Sequence, residues 1–339
     1  MGTLYIDKKD VVIKLDGGAL AFYANGKREG MVPIAPLKRV IIVGNVTIET
    51  SVLQKFLDEG IDVMFLSGRR TKYFGRLVGK LHNNALLRVK QYEKSLLSNL
   101  NIFPIMFSCE IVERKINSQI NFLNDAIKER PDLRSSLKDS INTLEKILDN
   151  VRQLKREFPY QVNRLHDDLI LILMGYEGSA ASGYFSAYTK LFPDSLNFKN
   201  RNRRPPLDPV NSMLSLCYTL LHYNVVRELE MIGLDPFIGF YHRFEYGRES
   251  LACDLVEVYR TEVDRFVWQV FRERSFIERD FSYDDIKPGC YMKKGARERF
   301  YFLHEEWAKG IRPKLTEEVR ILASKITGGM SDGENPLSE

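Results

Sequence analysis

The sequence predicts an α+β fold: a small β-rich N-terminal domain followed by a larger all-α C-terminal domain. Three observations carry this. Residues 3–83 hold short segments rich in β-branched and aromatic residues, separated by glycine turns. From residue 84 the apolar spacing changes to three and four, the period of an amphipathic helix. At 339 residues the chain is long for one hydrophobic core, so two domains are expected. The expected division is 1–83, 84–326 and a polar, Gly/Ser-rich tail at 327–339, read as disordered.

In chain order, TLYI, VVIKL, ALAFYA and RVIIVG read as strands, broken at Asp16-Gly17-Gly18 and at Gly26-Lys27-Arg28, with Pro33 and Pro36 punctuating the stretch before RVIIVG. Thr50–Glu59 reads as a short helix with Leu53, Phe56 and Leu57 inward, and IDVMFLS as a buried strand ending at Ser67. RVIIVGN carries one glycine and no G-x-G-x-x-G, which excludes a dinucleotide fingerprint. Helices come next at ALLRVKQYEKSLL, at IVERKINSQINFLNDAI and at Leu133–Leu154, with the charge runs KINSQ and VRQLKRE read as solvated faces. Val162–Leu191, a helix from Asp208-Pro209 through Val225, one from about Ser250 to Phe271 and one over Tyr301–Ile326 complete the set. The acidic run ERDFSYDD reads as solvated surface.

Hydrophobic content of 44% is enough for a sizeable core, and the net charge of +5, from 50 basic and 45 acidic residues, is a mild excess compatible with nucleic acid. Cys109, Cys217, Cys253 and Cys290 form no C-x-x-C pair, which argues against a zinc module and a disulfide framework. Lys8, Lys9 and Asp10 interrupt the opening before any long apolar run, and no stretch approaches ~18 apolar residues, so a soluble cytoplasmic protein with no membrane segment is expected.

The stretch that organises the rest is MIGLDPFIGFYHRFEYGRESLACDLVEVYR, residues 231–260. Turn chemistry at Gly233, Asp235, Pro236 and Gly239 leads to His242, and a polar loop then enters a helix carrying Asp254 and Glu257. Residues three apart share a helix face. The segment LACDLVEV sets both carboxylates among apolar residues, where they need a cation or full hydrogen bonding. Pairing with Arg260 is one way to meet that need. A divalent ion is another. Upstream, Glu177 lies in GYEGSAASGYF, whose Gly175, Gly178, Ala180, Ala181 and Gly183 allow either tight helix packing or room for a ligand beside Glu177. A Glu, a His and a further carboxylate make an oxygen-rich site with one nitrogen, which suits Mg²⁺ or Mn²⁺ better than structural zinc. His222, among Tyr218, Leu221 and Tyr223, reads as a satisfied core histidine.

Three basic clusters are candidates for phosphate contacts, the alternative for each being solvated surface. Arg69, Arg70 and Lys72 interleave with Tyr73 and Phe74 in SGRRTKYFGR. Lys199, Arg201, Arg203 and Arg204 crowd FKNRNRR, which Pro205-Pro206 holds extended. Lys293 and Lys294 stand with Arg297 and Arg299 near the last helix.

GYEGSAASGYF, then RNRRPPLDPVNSMLSLCYTLL, then GLDPFIGFYHRFEYGRESLACDLVEVYR resemble, in order and spacing, the CRISPR-associated integrase family Cas-one, the catalytic subunit of spacer acquisition, and the likeness runs from about Thr3 to Lys325. The resemblance implies a metal-dependent DNA endonuclease and integrase. It places the metal ligands at Glu177, His242 and Glu257, with Asp254 one turn earlier as support for the site. It implies attack by the 3′-hydroxyl of a captured fragment on the repeat end of an array, with Mg²⁺ or Mn²⁺ on the scissile phosphate. It further implies a homodimer through the β-rich domain, a small ferredoxin-like partner protein and double-stranded DNA held near residues 69–76. Two other readings of the same residues are a structure-selective nuclease for branched repair intermediates and a non-catalytic DNA-binding scaffold.

Overall fold

The computed structural model describes residues 2–68, 72–79, 84–96, 101–158, 166–203, 205–283 and 288–328. The chain divides into two compact units, residues 1–81 with 291–309, and residues 82–290 with 310–339.

The first unit is built on two four-stranded sheets. One has the order β1 (Thr3–Ile6), β5 (Arg39–Val43), β7 (Asp62–Leu66), β8 (Tyr73–Leu77), with β1, β5 and β7 parallel and β8 antiparallel. Every residue of β5 is buried, as expected of a central parallel strand covered on both faces. The parallel step from β5 to β7 needs a crossover, which contains α1 (Thr50–Asp58). Helix α1 buries Val52 and Phe56, whereas Leu57, expected inside, is exposed. The second sheet has the order β4 (Lys27–Pro33), β3 (Ala19–Ala24), β2 (Val11–Asp16), β6 (Val46–Ile48). Ile6, Val11, Ile13, Leu20, Val40 and Ile42 from both sheets share one core with Val52 and Phe56.

Three strands of these two sheets, β4, β6 and β8, are absent from the sequence reading, and all three are sheet edges. Each is half-buried or exposed throughout; β4 and β8 mix charged residues and glycine with their apolar ones, and β6, whose Val46 and Ile48 pack against the core, is only 3 residues long.

Residues 291–309, expected within the helical part, belong to the β-rich unit because polar side chains fasten them there. Asp7 accepts from Arg297 Nε at 2.5 Å, from its Nη2 at 2.9 Å and from the Tyr301 hydroxyl at 2.9 Å. Tyr5 stacks on Tyr301 with centroids 4.3 Å apart, and Thr3 donates to Glu305.

The second unit is helical: α2 (Ala85–Ser95), α3 (Phe103–Glu129), α4 (Arg134–Glu157), α5 (His166–Tyr188), α6 (Pro209–Ile232), α7 (Ser250–Arg272) and the later part of α8 (Lys294–Thr327), with the short strand β9 (Phe281–Tyr283). Helix α3 is central, packing against α4, α5 and α7. Its buried stripe includes Ile105, Cys109, Val112, Ile116, Phe122 and Leu123. Helix α6 starts where expected: Asp208 caps it by accepting the Asn211 amide at 2.8 Å, and Pro209 takes the first turn. Among the described residues no helix is long and apolar enough to cross a membrane.

Candidate active site

The loop between α6 and α7 delivers His242. Helix α6 ends at Gly233, whose φ of 100° lies in the left-handed region open to glycine. The Gln91 side chain then clamps the loop: its carbonyl oxygen accepts the Asp235 amide, and its amide donates to the Asp235 and Ile238 carbonyls, all at 2.8 Å. Phe240 packs edge-on against Phe103 and Phe107 of α3. Gly239 lies so close to the start of α7 that a Cβ there would meet Asp254 Oδ2 and the Leu251 nitrogen at 2.9 Å.

Asp254, fully buried on α7, gathers this loop. Its Oδ2 accepts the Phe240 and Tyr241 amides at 2.8 and 3.0 Å. Its Oδ1 accepts the His242 amide at 2.8 Å and faces His242 Nδ1 at 2.7 Å. A carboxylate is acceptor-only, so the proton sits on Nδ1 and Nε2 is the ring nitrogen left for a ligand. Asp254 is thereby fully occupied in holding the loop and its histidine.

Glu257, one turn later and only 6% exposed, is differently placed. Its Oε2 accepts from Lys115 Nζ at 2.6 Å and its Oε1 from Arg260 Nε at 2.8 Å. Burial would raise its carboxyl pKa, but Arg260 and Lys115 outweigh that and hold it well below the usual carboxylate range, with His242 adding to the effect. Lys115 also bonds Glu177 of α5. One ammonium on the central helix thus draws together carboxylates from α5 and α7.

Lys115 falls within the KINSQ run that the sequence reading assigns to a solvated face, yet it is 6% exposed. The signal was present in the spacing: Lys115 stands four residues after Ile111 and four before Gln119, both on the buried stripe.

The small residues around Glu177 divide: Ala180 is buried and Gly183 faces Thr143 of α4, but Gly175 and Gly178 do not pack. A Cβ at Gly175 or Gly178 would meet nothing within 4 Å, so the helix is open beside the half-buried Glu177. Of the two explanations for these glycines, helix packing does not apply at these positions.

A polar network continues inward from Glu257. The Arg260 guanidinium lies over the Tyr218 ring at 4.8 Å. Tyr218 and Tyr184 both donate to the Asp264 carboxylate, and Tyr188 donates to its backbone carbonyl. Burial pushes the Asp264 carboxyl up to about 6 against the pull of those tyrosine hydrogen bonds. His222 has its own partner, Glu249, at 3.2 Å. Burial lowers its pKa, but hydrogen bonds with Cys253 and Glu249 outweigh that and raise it to about 9.

The basic clusters separate by role. Lys199 and Arg203 are exposed. Arg201 turns inward, donating to Asn211 Oδ1 at 2.7 Å and Ser215 Oγ at 3.2 Å and lying over Tyr218 at 5.5 Å. Its guanidinium is spent on holding the loop to α6. Lys293 and Lys294 are exposed, whereas their neighbour Arg297 is buried on Asp7. Lys72 is exposed, and its amide donates to Ser67 Oγ. Arg69, Arg70, Arg204 and the expected tail from residue 329 lie outside the described residues.

Among the described residues no three His, Cys, Asp or Glu donors are close enough to hold an ion directly. The donor set nevertheless fits a hard divalent cation: two carboxylates from separate helices already converge on one cation, beside an imidazole whose Nε2 makes no hydrogen bond among the described residues.

Comparison with known proteins agrees with this architecture. The profile of the family described as CRISPR associated protein Cas1 matches residues 4–306. The CRISPR-associated endonuclease Cas1 1 of Thermodesulfovibrio yellowstonii is 49% identical over 326 residues, covering 96% of this chain and 97% of that one. The CRISPR-associated endonuclease Cas1 3 of Thermus thermophilus is 30% identical over 303 residues, 88% of this chain and 82% of that one. In fold, the chain matches a CAS1 protein from Thermotoga maritima with a TM-score of 0.77 at 21% identity, covering 99% of this chain and 100% of that one. A casposase bound to integration product matches with a TM-score of 0.75 at 18% identity over 99% of this chain and 96% of that one. This chain therefore belongs to the CRISPR-associated protein Cas1 family.

Proposed function

We propose that this protein is a divalent-metal-dependent DNA endonuclease and integrase that inserts captured DNA fragments into a CRISPR array. The observation that carries the reading is the convergence of Glu177 and Glu257 on one cation, with His242 locked alongside by Asp254. The names of the similar endonucleases and of the structurally similar casposase complex support it.

Glu177, Glu257 and Nε2 of His242 would hold Mg²⁺ or Mn²⁺, which supplies Lewis acidity at a scissile phosphate. The chain's own residues do the rest. Asp254 keeps His242 in one tautomer and one orientation. Arg260 holds the Glu257 carboxylate ionised and aimed. The open face at Gly175 and Gly178 leaves room for a phosphodiester beside Glu177. Exposed Lys199, Arg203, Lys293, Lys294 and Lys72 supply phosphate contacts along double-stranded DNA. The nucleophile is the 3′-hydroxyl of the captured fragment. Water in its place gives cleavage.

Partners belong to the same reading: a second copy through the β-rich unit, and a small ferredoxin-like adaptation protein. A Cas6-RT-Cas1–Cas2 complex contains a chain of this fold, matching with a TM-score of 0.73 over 97% of this chain and 35% of that one.

The test is a joining assay with a 3′-hydroxyl duplex, a supercoiled plasmid carrying repeats and the partner protein, in Mn²⁺, Mg²⁺ or EDTA. Metal-dependent joining that disappears in Glu177→Ala and His242→Ala is the expected result. Joining that persists in both variants refutes the site. Cutting of branched DNA without joining by wild type points to the repair-nuclease reading.

A further inference from the structure

A buried ammonium is tolerated only when its N–H groups are paired, and Lys115 meets that condition through Glu177 and Glu257. These are the two carboxylates assigned above to the metal. An ammonium and a divalent ion cannot both fill the space between them.

We propose that Lys115 is a resident cation that competes with the divalent metal for Glu177 and Glu257, and that it is displaced toward a DNA phosphate when the metal enters. The inference rests on the metal-dependent reading above and deepens it by coupling metal to DNA. Without metal, Lys115 keeps the α5 and α7 carboxylates together, so the site does not open by charge repulsion. The entering metal takes both carboxylates and leaves the ammonium with no counter-ion. The way out lies beside Glu177, whose side chain is 24% exposed and whose neighbours Gly175 and Gly178 face open space. A phosphodiester brought there offers the displaced ammonium a new anion. Each ligand therefore eases the binding of the other, and linkage makes the effect equal in both directions. Lys115 acts as a positioning residue, through the carboxylates it holds.

The test is Mn²⁺ binding, read from the electron paramagnetic resonance signal of free Mn²⁺. It is made on the full chain as wild type and Lys115→Met, with and without a duplex ending in 3′-dideoxynucleotides, which cannot react. Circular dichroism checks the fold. In the absence of DNA, Lys115→Met should bind Mn²⁺ about tenfold tighter than wild type. The duplex should tighten Mn²⁺ binding by wild type about tenfold and change that of Lys115→Met by less than about twofold.

A second measurement needs no variant. In wild type, Mn²⁺ should increase acylation of Lys115 by an amine-reactive reagent, mapped by peptide mass spectrometry. Equal Mn²⁺ affinity in wild type and Lys115→Met, or Lys115 acylation unchanged by Mn²⁺, overturns the inference. If Glu177→Ala abolishes Mn²⁺ binding while Lys115→Met matches wild type, only this inference falls. If neither wild type nor Lys115→Met binds Mn²⁺, the metal-dependent reading falls with it.

Discussion

The Asp254 carboxylate and the His242 imidazole meet at 2.7 Å, Oδ1 to Nδ1, and the same carboxylate receives the amides of residues 240, 241 and 242. One buried side chain thus sets both the path of the loop and the orientation of the ring it carries. Glu257, three residues on, faces two cations instead. Two carboxylates on one helix face therefore divide the work: Asp254 builds the loop, and Glu257 pairs with Lys115 and Arg260.

Replacing Asp254 with Asn should cost stability as well as activity. The amide keeps one acceptor oxygen and turns an NH₂ toward backbone donors, leaving buried N–H groups unpaired. A loss of about 2–4 kcal/mol is expected in urea denaturation. His242→Ala leaves Asp254 its three amides and should cost less than about 1.5 kcal/mol by the same measurement. Equal losses in the two variants would remove Asp254 from its role as organiser of the loop.

Gly239→Ala should disrupt the site from a position that bears no chemistry. The added methyl would stand 2.8 Å from the Ser250 carbonyl carbon and 2.9 Å from Asp254 Oδ2, so the loop must move away from α7. Destabilisation of about 1–3 kcal/mol is expected, with joining falling with the displacement of His242. Unchanged thermal unfolding would show that the loop yields freely.

Stability should also depend on pH through His222. Its pKa in the folded protein is raised from 6.5 to about 9. The stabilisation is therefore complete below about pH 6.5 and lost as pH rises through about 9. The total is at most about 3 kcal/mol. Chemical denaturation from pH 6 to 10 on wild type and Glu249→Gln checks this, with a flatter profile expected for the variant. Parallel profiles would rule out the His222–Glu249 pair as the source.

The basic cluster at 199–204 should divide under mutation. Arg201→Ala should lower stability by about 1–3 kcal/mol, because its guanidinium bonds Asn211 and Ser215. Lys199→Ala and Arg203→Ala should leave unfolding unchanged, and each should reduce the salt dependence of DNA affinity by about one counterion. The check is binding titrations at several salt concentrations beside thermal denaturation.

Much of this protein is legible in its sequence. β-Branched and aromatic residues between glycine turns mark β1, β2, β3, β5 and β7, and each of these strands sends apolar side chains into the core. The three-four period marks the helices for the same reason, and Asp208-Pro209 announces the start of α6 by its capping chemistry. Glu177, His242, Asp254 and Glu257 stand out because acidic and imidazole groups among apolar neighbours demand partners.

What those partners are, only the tertiary structure decided. The edge strands β4, β6 and β8 owe their form to the neighbour they pair with, and none of them has a fully buried side chain to announce it. Arg201 and Arg297 look like their exposed neighbours until Asn211 and Asp7 arrive from elsewhere in the chain. Lys115 bonds residues 62 and 142 positions away, through contacts between α3, α5 and α7 that no local pattern records. Periodicity tells which face of an element turns inward, because burial repeats with the geometry of that element. The charge a buried group meets there depends on how separate elements pack, and that is settled only when the helices close around it.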